Sequence, residues 1–207
     1  GETVTIYQVI EIESDGTAAL KDPKWVSGIQ AWITTNYSEY ADAANLPADG
    51  SATVSKSTFY NALSGQLASL TAVKNEQVTA ATCTVENQPI GSYMVLVMGG
   101  EKAHEAYLTS IRATKYDFDK AEWVVESGVV NAAAKCKTPD VEKKEDKTTA
   151  AIGDKVTFTV DSDVPTYPAS AYDVAYELED IMAEGLTFNG DLKAYGINTT
   201  GRTELTP

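Results

Sequence analysis

PDVEKKEDKTTAAIGDKVTFTV, at residues 139–160, decides how this chain is organised, because its run of Val, Thr and Phe is typical of strands that open a new β-domain. Three lysines surround Val141, whose side chain strand alternation would turn towards a core: Lys143, Lys144 and Lys147. One explanation is a solvated strand edge, since charged side chains there prevent edge-to-edge pairing. The other is that one lysine is buried for a chemical purpose.

Composition limits the classes of protein that fit. A chain of 207 residues with 43% hydrophobic side chains can bury one large core or two ordinary ones, and we predict two domains. The net charge of −14 argues against nucleic acid and anionic membrane surfaces as partners, because binding either needs clustered Lys and Arg. The chain has no apolar run long enough to cross a bilayer and no signal-peptide pattern at its start, so we expect no membrane insertion and an export signal, if there was one, to have been removed.

The first third of the chain contains one strand pattern and two helix patterns. ETVTIYQVIEI, residues 2–12, predicts a core strand because it is rich in β-branched and aromatic residues. Residues 23–40 predict a helix, since apolar residues recur there at steps of three and four. These residues are Trp25, Ile29, Trp32 and Ile33. A second amphipathic helix is predicted over residues 55–70, with a stripe formed by Phe59, Leu63, Leu67 and Leu70.

Short strand patterns separated by Gly, Pro and Asp turns fill the rest of the first part. They are EQVTAATCTVEN at 76–87, SYMVLVMGG at 92–100, AYLTSIRATKYD at 106–117 and AEWVVESGVVNAAAK at 121–135. Such spacing is typical of a β-sandwich. We therefore predict a mainly β protein of two immunoglobulin-like sandwich domains, residues 1–137 with two inserted helices and residues 138–207. The boundary is predicted near Thr138, at a proline-marked linker.

The remaining chemistry-bearing residues give weak patterns. Cys83 and Cys136 lie far apart and form no CxxC pair, so either a single disulfide or two buried thiols fits them. His104 is the only histidine and belongs to no HExxH motif, so we predict a surface or turn residue. The acidic turn at residues 161–165 lacks the ligand spacing of a calcium loop. No metal and no cofactor are predicted.

Three segments carry a resemblance to a known family. They are YQVIEIESDGTAALKDPKWVSGIQAWI at 7–33, QPIGSYMVLV at 88–97, and the stretch from TPDVEKK to LKAYG at 138–196. Their order resembles that of sortase-assembled backbone pilins, the fimbrial shaft proteins of Gram-positive bacteria. The last segment is similar to the opening half of the fimbrial isopeptide-forming domain, with IGD before a strand, VP after it, and an aspartate ahead of GLTF.

The resemblance implies a covalent cross-link that the protein makes itself. In the family, a lysine near the start of a domain forms an amide with an asparagine on its last strand, promoted by a buried carboxylic acid. The matching lysine is Lys143, with Lys144 as the alternative, and the matching acid is Asp180. Asn189 and Asn198 come too early to be the partner, so we expect the closing asparagine after residue 207. Burial favours the neutral amine, and a fixed geometry gives effective molarities on the order of 10⁵ M or more.

The resemblance also implies a second functional lysine and a cellular role. Lys135 matches the lysine that accepts the next subunit in a sortase-made amide, with Lys137 as the alternative; a solvent-exposed linker lysine is the competing explanation. The implied protein is a structural subunit of an extracellular, cell-surface fimbria or cell wall. It would not be an enzyme, and its partners would be other pilin subunits and a sortase.

Two other function classes make distinct demands on the structure. A surface adhesin, binding a host protein or glycan through the first domain, would need an exposed aromatic patch on the helical region, at Trp25, Trp32, Tyr37 and Tyr40. A carboxylate-based glycosidase would need two acids facing each other across a cleft.

Overall fold

The structure, a computed structural model, describes most of the chain in two compact units. The units are Gly1–Val174 and Ala175–Pro207. The described residues are 1–14, 17–79, 82–99, 102–125, 136–137, 139–165, 167–171 and 174–206, with only the backbone described at 136–137. The predicted boundary near Thr138 lies inside the first unit, although no pairing between the described strands crosses it.

Thirteen strands and two α-helices form in the described residues. In chain order they are β1 (Glu2–Glu11), β2 (Lys24–Trp25), α1 (Ser27–Asn36), α2 (Lys56–Ser64), β3 (Lys74–Val78), β4 (Gly91–Met98), β5 (Ala103–His104), β6 (Tyr107–Ile111), β7 (Ala113–Asp117), β8 (Glu122–Val125), β9 (Cys136–Lys137), β10 (Val141–Glu145), β11 (Phe158–Ser162), β12 (Ala194–Asn198) and β13 (Gly201–Leu205). Short 3₁₀ turns follow each helix, at Ser38–Tyr40 and Leu67–Ser69.

One five-stranded antiparallel sheet organises the first unit. Its order is β2-β1-β4-β6, and β3 shares the outer edge of β1 with β2. The other described strands form four antiparallel pairs: β5 with β9, β7 with β8, β10 with β11, and β12 with β13. The mainly β class with two helices is therefore confirmed.

The two helices pack on one face of this sheet and form the main core with it. Phe59 of α2 is fully buried at the centre, where its ring stacks on Tyr40 at a centroid distance of 4.1 Å and meets the edge of Trp25 at 5.9 Å. Aliphatic side chains complete the layer: Val9, Ile29, Ile33, Leu63, Leu67, Met94 and Leu96. Buried aromatic pairs add to the energy of area burial, so this cluster fixes how the helices lie on the sheet.

The opposite face of the sheet carries a smaller apolar cluster. Along β4, Met94 and Leu96 face the helices, whereas Val95 and Val97 join Val4 on the other side. Strand β4 is buried on both faces for this reason, as expected of a central strand.

Both predicted helices form, but both are shorter than predicted: the first is Ser27–Asn36 and the second ends at Ser64. The first begins at Ser27 because the two residues of β2 pair with β1, and the Val26 N–H donates to the Val9 carbonyl oxygen at 3.0 Å. It ends at Asn36, since Tyr37 leaves the helical region with φ −140° and ψ 58°. A pairing partner distant in the sequence has overridden the local helical period.

The second helix starts on a side-chain cap. The Ser55 hydroxyl accepts the N–H of Thr58 at 3.2 Å, which satisfies one of the free donors of the first turn. The predicted stripe continues past the helix end into the 3₁₀ turn, where Leu67 is buried. The strand expected at residues 76–87 is shorter than predicted, because β3 ends at Val78.

None of the helices in the described residues combines the length and apolar character needed to span a bilayer.

We expect Phe59→Ala to lower the free energy of unfolding by about 3–5 kcal/mol, since it leaves a cavity at the centre of the aromatic cluster. Phe118→Ala is the matched control, because Phe118 is 79% exposed and its loss should change stability by no more than about 0.5 kcal/mol. Urea unfolding followed by tryptophan fluorescence measures both. Equal effects of the two substitutions would show that Phe59 does not hold the core.

Candidate functional site

The β10–β11 hairpin holds the lysine to which the sequence assigns a chemical role. Lys143 pairs across the hairpin with Val160, and Val141 pairs with Ser162. Directly opposed residues and those two apart along a strand share a face, so one side of the hairpin carries Val141, Lys143, Glu145, Phe158, Val160 and Ser162. We call these six residues the lysine face. Lys143 thus shares the face of Val141, as strand alternation predicts.

The opposite face of the hairpin is polar. It carries Glu142, Lys144, Thr159 and Asp161. The Lys144 amine donates to the Glu142 carboxylate at 2.8 Å, and this hydrogen bond, with the attraction between the two charges, raises the pKa of Lys144. The two neighbouring lysines therefore have different surroundings: Lys144 forms a solvated ion pair with Glu142, and Lys143 lies on the face that carries Val141, Phe158 and Val160.

Within the lysine face, the Lys143 amine lies over the ring of Phe158, 4.6 Å from its centroid. A cation in this position is attracted by the electrons of the ring, by roughly 0.5–1 kcal/mol at an exposed site. The long side chain also covers part of the apolar surface with its methylene groups.

The buried setting expected for Lys143 is absent from the described residues. Lys143 is exposed, and so are Val141 (58%) and Phe158 (40%). The prediction of an apolar enclosure around the amine is therefore wrong for the hairpin as it stands. The physical reason is that two strands alone form one layer and cannot bury their own apolar face.

Asp180, the predicted acid, belongs to the second unit, whereas Lys143 belongs to the first. It is exposed, in a stretch without helix or strand that precedes the β12–β13 hairpin. Two apolar residues near Asp180 in the sequence, Leu178 and Phe188, are 52% and 57% exposed. The pairing of Asp180 with Lys143 stays a prediction.

The structure describes little of the second predicted lysine site, at Lys135 and Lys137. Lys135 is outside the described residues. The backbone of Lys137 pairs with Ala103 in the short β5–β9 ladder, and its side chain is outside the described part. The roles of both lysines stay predictions.

Cys83 agrees with the second of the two alternatives, a thiol packed among apolar residues, and not with a disulfide. Its thiol is free and half-buried, and it packs against the cluster of Val4, Val95 and Val97. It therefore behaves as a small apolar residue. The side chain of Cys136 is outside the described part.

His104 is a residue whose surroundings the sequence did not reveal. It was predicted at the surface or in a turn, but it is only 7% exposed, and its Nε2 lies 2.8 Å from Oε1 of Glu2. The prediction is wrong because β5 lies beside the start of β1, a proximity of residues about a hundred positions apart that no local pattern signals. Its Nδ1 is buried without a hydrogen-bond partner among the described residues.

The aromatic residues named for an adhesin patch belong to the core instead. Trp25 and Tyr40 are 2% and 1% exposed, and Trp32 and Tyr37 are half-buried against the same cluster. The Trp25 indole N–H donates to the Tyr40 carbonyl oxygen at 2.8 Å, and the Tyr40 hydroxyl donates to the Val54 carbonyl oxygen at 2.6 Å. These rings are structural, so the patch that would favour an adhesin is not formed.

The described cavities give no support to carboxylate chemistry. One is lined by no acidic residue, and the other by a single one, Asp49, whose carboxylate pairs with Lys56 at 2.9 Å. A glycosidase needs two facing acids. Across the described part of the chain, metal-ligating side chains form no group of three or more.

Comparison of the chain with protein-family models, with curated proteins and with solved structures finds no match.

We expect the ε-methylene protons of Lys143 to resonate upfield of those of Lys144, because the Phe158 ring current shields groups above its face. Phe158→Leu should remove this difference and leave Lys144 unchanged, as measured by two-dimensional NMR. Identical shifts for the two lysines in the unsubstituted chain would contradict the hairpin geometry.

Proposed function

We propose that this chain is a structural subunit of a cell-surface fimbria, stabilised by a self-formed Lys–Asn isopeptide bond and polymerised by a sortase. The observation that carries the proposal is the lysine face: an exposed hairpin surface on which Lys143 lies with Val141, Phe158 and Val160, while a second lysine is held on the opposite side.

A solvated strand edge accounts for Lys144, but it does not require the apolar side chains that lie beside Lys143. Lys144 and Glu142 form an exposed ion pair, which suits a charged edge and adds little to stability. Lys143 instead lies where packing of a further layer would bury it with Val141, Phe158 and Val160. We propose that residues 138–207 form the first part of an immunoglobulin-like sandwich whose remaining strands supply that layer.

Covering the lysine face would change the chemistry of the amine. Removal from water disfavours the charged form, and a neutral amine can attack the carbonyl carbon of an asparagine side chain. A new amide C–N bond forms, the carboxamide C–N bond breaks, and the nitrogen leaves as ammonia. A carboxylic acid kept protonated by apolar surroundings can donate a hydrogen bond to the carbonyl oxygen under attack, and this is the role proposed for Asp180.

The first domain, residues 1–137, would be the scaffold that presents the sortase-acceptor lysine. We propose Lys135 for that role, with Lys137 as the alternative. The partners are then neighbouring subunits and a sortase, on the outside of the cell. Such a role needs a stable domain, and the core centred on Phe59 supports this part of the proposal.

Peptide mapping of the protein taken from the cell surface tests the proposal. We expect Lys143 in a branched peptide, joined to an asparagine side chain with the loss of one ammonia, because proximity in a buried site drives the condensation. Lys143→Ala or Asp180→Ala should each abolish the branch, whereas Lys144→Ala should leave it intact.

The same map identifies the link between subunits, which we expect at Lys135. Recovery of Lys143 only in linear peptides would contradict the cross-link. A polymer joined at neither Lys135 nor Lys137 would contradict the assignment of the acceptor, and a protein found only as monomer would contradict the fimbrial role.

A further inference from the structure

A groove opens at one end of the five-stranded sheet, where β1, β4 and β6 meet the loop that follows the first 3₁₀ turn. Its volume is about 340 Å³. A water molecule takes about 30 Å³ in the liquid, so the groove has room for roughly ten non-hydrogen atoms. Half-buried aliphatic side chains provide much of its wall, among them Ile12, Leu46 and Leu108. An apolar occupant would complete their burial, as ligand pockets commonly do.

The charge of the groove is opposite to that of the chain. The chain has 30 Asp and Glu residues, yet no acidic residue is found among the described residues that line the groove. One of its two arginines, Arg112, does line it. The Arg112 side chain is exposed, and no described residue forms an ion pair or hydrogen bond with its guanidinium group. An arginine at the edge of an apolar groove is suited to a carboxylate, which it can bind with two parallel hydrogen bonds.

A pair of serines adds a hydrogen-bond donor to the same wall. The Ser92 and Ser110 hydroxyl oxygens are 2.9 Å apart, and Ser92 is 9% exposed. Each hydroxyl carries one proton, and only one proton can lie between the two oxygens. The other hydroxyl therefore keeps a proton that it can donate to an acceptor in the groove.

From these features we propose that the groove binds a small aliphatic carboxylate of roughly ten non-hydrogen atoms. The hydrocarbon part contacts Ile12, Leu46 and Leu108, and the carboxylate accepts hydrogen bonds from Arg112 and from the serine pair. This site is independent of the lysine face and of the fimbrial role, since it uses residues of the first sheet and of the loops beside it only.

NMR titration of the chain with sodium octanoate, at about 0.15 M salt to screen distant charges, tests the site. We expect saturable shift changes at the amides of Leu108, Ser110 and Arg112, with a dissociation constant in the millimolar range that suits so small a ligand. Octan-1-ol, which has the same chain without the charge, should bind about tenfold more weakly.

Arg112→Gln should weaken octanoate binding about tenfold and remove its advantage over octan-1-ol. Arg202→Gln is the matched control, because Arg202 is the other arginine and its guanidinium lies 3.4 Å from the ring centroid of Tyr195. It should leave the affinity unchanged. Shift changes confined to the exposed aliphatic residues after position 174, no saturable change, or equal effects of the two arginine substitutions would each overturn the proposal.

Discussion

The packing of Phe59 between the helices and the β1–β4 sheet is the interaction on which the rest of the structure depends. Helix α2, which carries this ring, also fixes two distant segments. The Asn61 side-chain oxygen accepts the N–H of Ala106 at 3.0 Å, and its carbonyl oxygen accepts the N–H of Ala169 at 2.9 Å. The Ser64 hydroxyl accepts the N–H of Ser170 at 3.2 Å. Residues 167–171 are thereby held on helix α2, although they follow the boundary predicted near Thr138.

Some parts of this core could be predicted from short stretches of the sequence. The strands β1 and β4 and the stripe of α2 follow from alternation and from the helical period. The start of α1 could not be predicted, because Trp25 is held by pairing with Ile10 rather than by its neighbours. The environment of His104 could not be predicted either, since its partner Glu2 is distant in the sequence. Composition cannot distinguish a core aromatic such as Trp25 from one on the surface either, because the packing of α2 decides whether the ring is buried.

In the β10–β11 hairpin, too, some properties of a residue follow from the local sequence and others depend on distant parts of the protein. Alternation within one strand suffices to separate Lys143 from Lys144, and the register agrees. Burial of Lys143 is a different kind of property, because it requires a second layer that the hairpin does not contain. The two neighbouring lysines thus have different explanations. Lys144 forms part of a charged strand edge, and Lys143 lies on a surface that a further layer could cover.

The central claim is that the helices and the five-stranded sheet form the cooperative core, while the lysine face is uncovered. Native-state hydrogen exchange, resolved by residue, measures this most directly. Amides of β1 and β4 should exchange only through global unfolding, and those of the β10–β11 hairpin should exchange at least about a hundredfold faster through local opening. Protection of Lys143 and Val160 equal to that of Met94 and Leu96 would contradict the claim, because it would mean that the lysine face is already part of a packed core.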